Sequence, residues 1–471
     1  MEILIIIYLS LYLAISIYRP RLALLLLFFS LPSYLIRFTL LSLPLTLLEL
    51  QIVISFLVWL VGNYKNLYKN LKTKKNINNQ YPFQNEIIFW LLSVLLAVAV
   101  SNFSSSSLGI LKAYFLEPIM LYILIVNYFF KKNDWKKIIW SLTFSALAVS
   151  LVAIYQYFTG NFIFNDFWAR EETRRVVSFF GYPNAVGLYL APIFMLSFSL
   201  LIDYFKKEKL FNNLNYILGL IVIIFSMITS ISAIYFAKSE GALIALTVAT
   251  VVFLFFYNKK TRLLTSSIVV IFLIILFSNT SYTENLKSKL YLQDKSGQIR
   301  LAQWSETWKM MSEERLLISG AGLSNYQKSV KPYHQEGIFI KDYNDSKWLN
   351  KVMFNDEFRK KSWQPLEIYL YPHNIFLNFW VELGLLGLVV YLIITIKFFS
   401  KLLILLKKRY TNKLLNLGLL ASMTTIIVHG LVDVPYFKND LSILFWLLLS
   451  LLSINIIKHN NGKNAADKSY S

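Results

Sequence analysis

Residues Tyr371–Lys397 read YPHNIFLNFWVELGLLGLVVYLIITIK. From Ile375 onward the stretch is almost wholly apolar and long enough to cross roughly 30 Å of hydrocarbon as a helix. At its front edge stand His373 and Asn374, polar groups placed where a membrane span meets water. Pro372 suits the first turn of a helix, which puts His373 at the helix start. On an ideal helix Gly384 returns to within about 20° of His373 and Gly387 to within about 40°. One face would then carry a histidine at the wet end and two small residues inside, where another helix packs close. Ordinary packing glycines beneath an interfacial histidine would give the same pattern.

The rest of the chain repeats this texture. Of 471 residues, 56% are hydrophobic and 15% charged, against about 25% charged in a soluble domain. Apolar runs lie near 2–18, 22–36, 45–62, 86–102, 108–130, 138–158, 183–204, 214–236, 241–258, 264–281, 375–397, 415–432 and 441–457. The fold class is therefore an all-α polytopic membrane protein of about 12–14 transmembrane helices. Arg37 and Pro44 interrupt the early region, so the first three spans are the softest. The run from Met1 to Tyr18 lacks a basic start and a small-residue cleavage site, and reads as a retained span. With no cysteine, disulfides, thiolate catalysis and thiolate metal sites are excluded.

The net charge of +21 does not point to nucleic acid. The basic residues sit in short clusters between apolar runs. Alternate connections, including 63–80, 131–137, 205–213 and 397–413, hold 26 Lys and Arg. The opposite short connections hold only Arg37, Arg170, Arg174, Arg175, Lys238 and Lys438. The first set belongs in the cytoplasm. The expected divisions are N-terminal spans with a basic linker (1–85), core spans (86–281), a large outer loop (282–371), C-terminal spans with the histidine (372–457) and a cytoplasmic tail (458–471). The tail from Asn460 is expected to be disordered. Within the outer loop, Gln298–Met311 reads as an amphipathic helix with Arg300, Trp304 and Trp308 on one face. A Trp-bearing face suits the lipid headgroup zone.

The other polar candidates also lie on the outer side. Arg174 and Arg175 precede Gly181-Tyr182-Pro183-Asn184 at the opening of a span. An Arg fork binds phosphate with a permanent charge, although a bare pair is more often a loop or snorkelling pair. Lys238-Ser239-Glu240-Gly241 fills a short turn, and its charges mark the turn or face a shared cavity. His429 and Asp433 are four residues apart on one face. Two ligands without a third make a poor metal site, so mutual hydrogen bonding is the better reading. Lys112, Glu117 and Glu382 lie inside spans, where charge is costly. Lys112 and Glu117 read as partners across helices, and Glu382 as facing a neighbour other than that of His373. No P-loop, dinucleotide fingerprint or His-Glu-x-x-His motif occurs, nor a paired-acidic motif in the first outer loops. No cofactor or metal is called for.

At these residues the chain resembles the bacterial O-antigen ligase/polymerase family. Its best-known motif is His, then Asn, Ser or Gln, nine residues, Gly, two residues, and Gly, Thr or Tyr. His373-Asn374, Gly384 and Gly387 match it. Arg175 to Asn184 is similar to the family's Arg…Gly-x-x-Pro-Asn element, with one residue fewer between Gly181 and Pro183. Ser296-Gly297-Gln298-Ile299-Arg300 with Trp304, then Gly320-Ala321-Gly322, is similar to the opening of its large loop. His429-Gly430-Leu431-Val432-Asp433 is similar to its closing motif. The turn at Lys238 departs from the family's Ser-Arg-Gly, with its cation at a shifted position.

The resemblance implies a glycan donor on undecaprenyl diphosphate. The acceptor would be a hydroxyl of a glycan, lipid or protein at the outer face of the cytoplasmic membrane. The diphosphate is already a good leaving group and needs its charge stabilised, which Arg175 and Arg300 can do without a metal. An imidazole suits the base for the acceptor hydroxyl near neutral pH, which assigns that role to His373. Asn374, Arg174, Lys238, Asn184, Glu240, His429 and Asp433 are expected around the substrate, with Lys238 assisting the diphosphate. The competing reading is a flippase or exporter of lipid-linked glycans. Such proteins usually show two related halves and short loops, whereas this chain shows one dominant outer loop and no repeat.

Overall fold

A computed structural model describes residues 2–40, 43–72, 81–131, 133–206, 213–277, 281–408 and 411–469. Among the described residues nine helices are long and apolar enough to cross a membrane, from Leu47–Lys65 to Asn439–Asn461. Shorter apolar helices, Ile3–Tyr18, Pro20–Phe29, Gln84–Val100 and Lys413–His429, occupy the four remaining positions at which the sequence places a span. The chain is an all-α, multi-pass membrane protein. The 22–36 stretch is the exception to a simple span. Helix Pro20–Phe29 has ten residues, about 15 Å of rise, and gives way to a 3-10 turn, Leu31–Leu35. An antiparallel pair, Arg37–Leu40 with Leu43–Thr46, then folds over the bundle end. The last helix runs to Ser469, through the residues expected to be disordered, while residues 73–80 of the 63–80 linker lie outside the described residues.

Hydroxyl pairs join the helices where hydrophobicity offers no preference for helix over lipid. Tyr12 meets Ser55 at 2.8 Å, Ser145 meets Tyr189 at 2.7 Å and Tyr122 meets Ser453 at 3.0 Å. In bilayers each such bond contributes about 0.6–2 kcal/mol. A π-helical stretch, Leu111–Leu116, precedes helix Glu117–Tyr128. Pro118 has no N–H to give the carbonyl four residues back, which is that of Tyr114. That carbonyl instead accepts the Tyr436 hydroxyl at 2.8 Å. Lys112 and Glu117 do not pair with each other. Lys112 Nζ lies 2.7 Å from Glu49 Oε1, and Glu117 accepts from Asn439 at 3.5 Å.

The 281–374 segment is a folded cap on one end of the bundle. Helix Lys295–Met311 begins three residues before its predicted start, with Asp294 accepting from the Ser296 N–H as its cap. Short helices Glu314–Ser319, Tyr326–Val330, Trp348–Phe354 and Asp356–Ser362 follow, with strands Gly337–Phe339 and Trp363–Pro365 paired antiparallel. Met310, Met311, Ala321, Tyr326 and Val330 form a small core of their own, completed by Val381 from the membrane helix. Arg300, Trp304 and Trp308 do share a face, and it is turned onto the bundle. Trp304 Nε1 donates to the Pro372 carbonyl at 2.7 Å, and Trp308 meets Trp380 edge-on. Trp308 stays half-exposed.

Helix Ile375–Leu406 is broken at Gly384, where φ is +69° and ψ −174°. This corrects the even phase counted from His373 to Gly384. A Cβ on Gly384 would lie 2.5 Å from the Ile318 carbonyl oxygen and 2.7 Å from that of Ser319. Gly320, at φ +68°, faces it from the cap, and the Ala321 N–H donates to the Val381 carbonyl at 2.7 Å. Only glycine carries such a conformation at low cost. Gly387 contacts Leu383 across the break. Gly384 therefore serves a backbone-to-backbone dock with the cap, whereas Gly387 lies against Leu383 of its own helix. Glu382, beside the dock, accepts the Ser324 N–H at 2.7 Å.

Candidate active site

Under the cap, at the end of the bundle that carries it, lies a cavity of about 490 Å³. Its wall includes Arg175, Asn184, Arg300, Gln303, His373 and Lys438. A larger cavity, about 740 Å³, sits near Asn133, Lys136, Asp203 and Lys458 and holds none of the sequence candidates. Polar groups, more than volume, mark a site of chemistry, so the smaller cavity is the candidate.

Arg175 and Arg300 arrive from opposite sides. The Arg175 Nε donates to the Ala237 carbonyl at 3.0 Å, and its Nη2 to Asn184 Oδ1 at 3.1 Å and the Lys238 carbonyl at 3.4 Å. Arg300 Nε donates to the Val432 carbonyl at 3.0 Å and Nη1 to Ser296 Oγ at 2.8 Å. Neither guanidinium is paired with a carboxylate among the described residues. Burial lowers the Arg175 pKa from its ordinary value, Arg300 lowers it further, and Glu240 opposes them. Both guanidiniums are held by neutral oxygens, which leaves their charge without a counter-charge among the described residues.

His373 stands just before the helix. Asn374 is the N-cap, and His373 has φ +45°. Its Nδ1 lies 3.1 Å from Gln303 Oε1. An amide oxygen only accepts, so Nδ1 carries the proton and Nε2 keeps its lone pair. Tyr369 and Tyr371 flank the ring edge-on at 5.1 and 5.0 Å. Burial lowers the His373 pKa from 6.5, Asp433 pulls it up and Arg300 pushes it down. Burial raises the phenol pKa values of both Tyr182 and Tyr371.

Asn184 links the two halves. Its oxygen accepts from Arg175 and its Nδ2 donates to Asp433 Oδ2 at 3.0 Å. Asp433 Oδ1 takes the Val434 N–H at 2.8 Å. The expected His429–Asp433 bond is thus replaced, and the His429 ring packs on Gly241, where a Cβ would lie 2.8 Å from its Cδ2.

Four further expectations are corrected by the hydrogen bonding. Asn374 caps the helix through Phe376 and Leu377 N–H and donates to the Leu431 carbonyl at 3.0 Å, so its amide serves the backbone. Arg174 clips its own loop, donating to the Tyr157 carbonyl at 2.8 Å and the Ala169 carbonyl at 3.2 Å. Lys238 is exposed and contributes its carbonyl to Arg175. Glu240 forms a surface pair with Lys289 at 2.6 Å. None of these four lies on the cavity wall.

Gln303, Tyr371 and Lys438 are among the wall residues that escaped the sequence reading. Gln303 follows Arg300 by three positions and so shares its helix face, a usable signal. Tyr371 lies two residues before His373, also a readable proximity. Lys438 stood out only as a basic residue in an outer connection. Its ammonium nitrogen is buried without a hydrogen-bond partner. Among the described residues no three His, Asp or Glu side chains gather closely enough to hold a metal ion.

The family model described as O-Antigen ligase matches residues 225–392. Over these residues, 168 of the chain's 471, the protein is similar to that family. The matched span holds Arg300, Gln303, His373, Gly384 and Gly387, and leaves Arg175, Asn184, Asp433 and Lys438 to be argued from geometry. No curated protein and no solved structure matches the chain.

Proposed function

We propose that the protein transfers a glycan from undecaprenyl diphosphate to an acceptor hydroxyl, at the outer face of the bacterial cytoplasmic membrane. The observation that carries this reading is His373, its Nδ1 on Gln303 Oε1, in one cavity with two guanidiniums that have no carboxylate partner among the described residues. Nε2 removes the proton of the acceptor hydroxyl as its oxygen attacks the anomeric carbon. The bond from that carbon to the phosphate oxygen breaks, and the diphosphate leaves with the electron pair. The configuration at the anomeric carbon inverts. Arg175 and Arg300 take up the negative charge that grows on the leaving group, where fixed cations act most strongly. The imidazolium then returns its proton to water or product phosphate.

Asn184 and Asp433 position Arg175, and Gln303 sets the His373 tautomer. The positively charged connections elsewhere support the membrane orientation. The test is reconstitution of the full chain in proteoliposomes with a lipid-diphosphate glycan and candidate glycan, lipid and protein acceptors. Covalent transfer with inversion supports the reading, and it should persist in excess chelator. Movement of the donor between leaflets without any transfer would replace it with transport.

A further inference from the structure

Lys438 belongs to the turn between helix Lys413–His429 and helix Asn439–Ser469. Lys438 lines the cavity, and its ammonium is buried among aromatic rings. Nζ lies 4.2 Å from the Phe180 ring centroid, 5.3 Å from Tyr182 and 5.5 Å from Tyr34. Among the described residues none of its three N–H donors has a partner, and Asp440 nearby likewise has an unpartnered buried Oδ2.

Burying an ammonium with no hydrogen bond is costly. Ring faces offset part of that cost and satisfy no donor. A side chain kept in this state is short of an acceptor. The four-carbon stem has the rotational freedom to bring the ammonium to the cavity side. There it would join Arg175 and Arg300, which also lack carboxylate partners. Three cations exceed what a neutral sugar or a single phosphate requires. A diphosphate has two charged phosphoryl groups and enough oxygens for all three.

We propose that Lys438 is a third cation of the donor site, leaving its aromatic cage to bind the diphosphate. This rests on the donor reading above, and it gives to Lys438 the part that the sequence assigned to Lys238. A structural alternative exists in which Lys438 only neutralises Asp440.

Binding of undecaprenyl diphosphate and undecaprenyl monophosphate to the full chain in nanodiscs separates these. Loss of one charge-assisted contact predicts that Lys438→Met weakens diphosphate binding about 10- to 100-fold, and monophosphate binding less. The double variant Lys438→Met/Asp440→Asn restores charge balance, which guards against loss of fold. It should fold and still bind diphosphate weakly. Wild-type diphosphate affinity in the double variant would overturn the proposal in favour of neutralisation. Unchanged affinity in Lys438→Met would overturn it outright. Arg175→Gln and Arg300→Gln serve as the reference. If they lose affinity while the Lys438 variants do not, only the third cation fails. If they too bind as wild type, the donor reading fails with it.

Discussion

Replacing Gly384 by alanine is expected to destabilise the protein by about 4 kcal/mol and to cripple transfer. A non-glycine residue at φ +69° costs about 1–3 kcal/mol in backbone strain. The added Cβ would also sit 2.5 Å from the Ile318 carbonyl oxygen, so the cap must shift. That shift breaks the bond from the Ala321 N–H to the Val381 carbonyl, and a buried donor left unpaired costs about 1–3 kcal/mol. The cap also carries Arg300 and Gln303, so the same shift pulls both away from His373. A displacement of about 1 Å at such a site is enough to cost about 100-fold in rate. Chemical unfolding in mixed micelles reads the stability, with Gly62→Ala as control. Gly62 lies inside helix Leu47–Lys72 with nothing within 4 Å of an added Cβ. Alanine there should be neutral or stabilise by about 0.5–1 kcal/mol. A Gly384→Ala protein as stable and active as Gly62→Ala would refute the account of the dock.

Other outcomes follow from the same geometry. Arg175→Gln and Arg300→Gln should each lower single-turnover transfer about 10²- to 10³-fold, whereas Arg174→Gln and Lys238→Gln should stay within about threefold because neither side chain lines the cavity. Asn374→Ala should cost about 1 kcal/mol of stability as a lost helix cap, with the acceptor KM of the folded fraction unchanged. With His373 as the proposed base, activity should be full above its folded pKa and fall as pH drops through it, on the acid side of 6.5 because burial lowers that pKa. Asp433 holds the pKa up and Arg300 holds it down, so the acid limb of the pH–rate profile should move to lower pH in Asp433→Asn and to higher pH in Arg300→Gln.

Hydropathy made the membrane helices legible, because crossing hydrocarbon demands long apolar runs whatever the neighbours do. The order of polar elements likewise made Arg175, Asn184, Arg300 and His373 readable as one group, and the structure brings them to one cavity. What sequence could not convey is where a side chain spends its hydrogen bonds. Asn374 looks like a substrate ligand until its oxygen is seen on two backbone N–H groups. Arg174 and Arg175 are equivalent as text, yet one clips a loop and the other faces the cavity. Gly384 reads as a packing residue in a continuous helix, since a positive φ leaves no mark on an apolar run. Lys438 was hidden for a different reason. Its significance depends on Tyr34, Phe180 and Tyr182, which lie hundreds of residues away in the chain.

The central claim is that His373 is the base for the acceptor hydroxyl. Single-turnover glycan transfer by His373→Gln, with donor and acceptor both saturating, tests it most directly. Loss of a general base predicts a rate about 10²- to 10⁴-fold lower, with undecaprenyl diphosphate affinity retained through Arg175 and Arg300. Transfer at the wild-type rate by that variant would contradict the account.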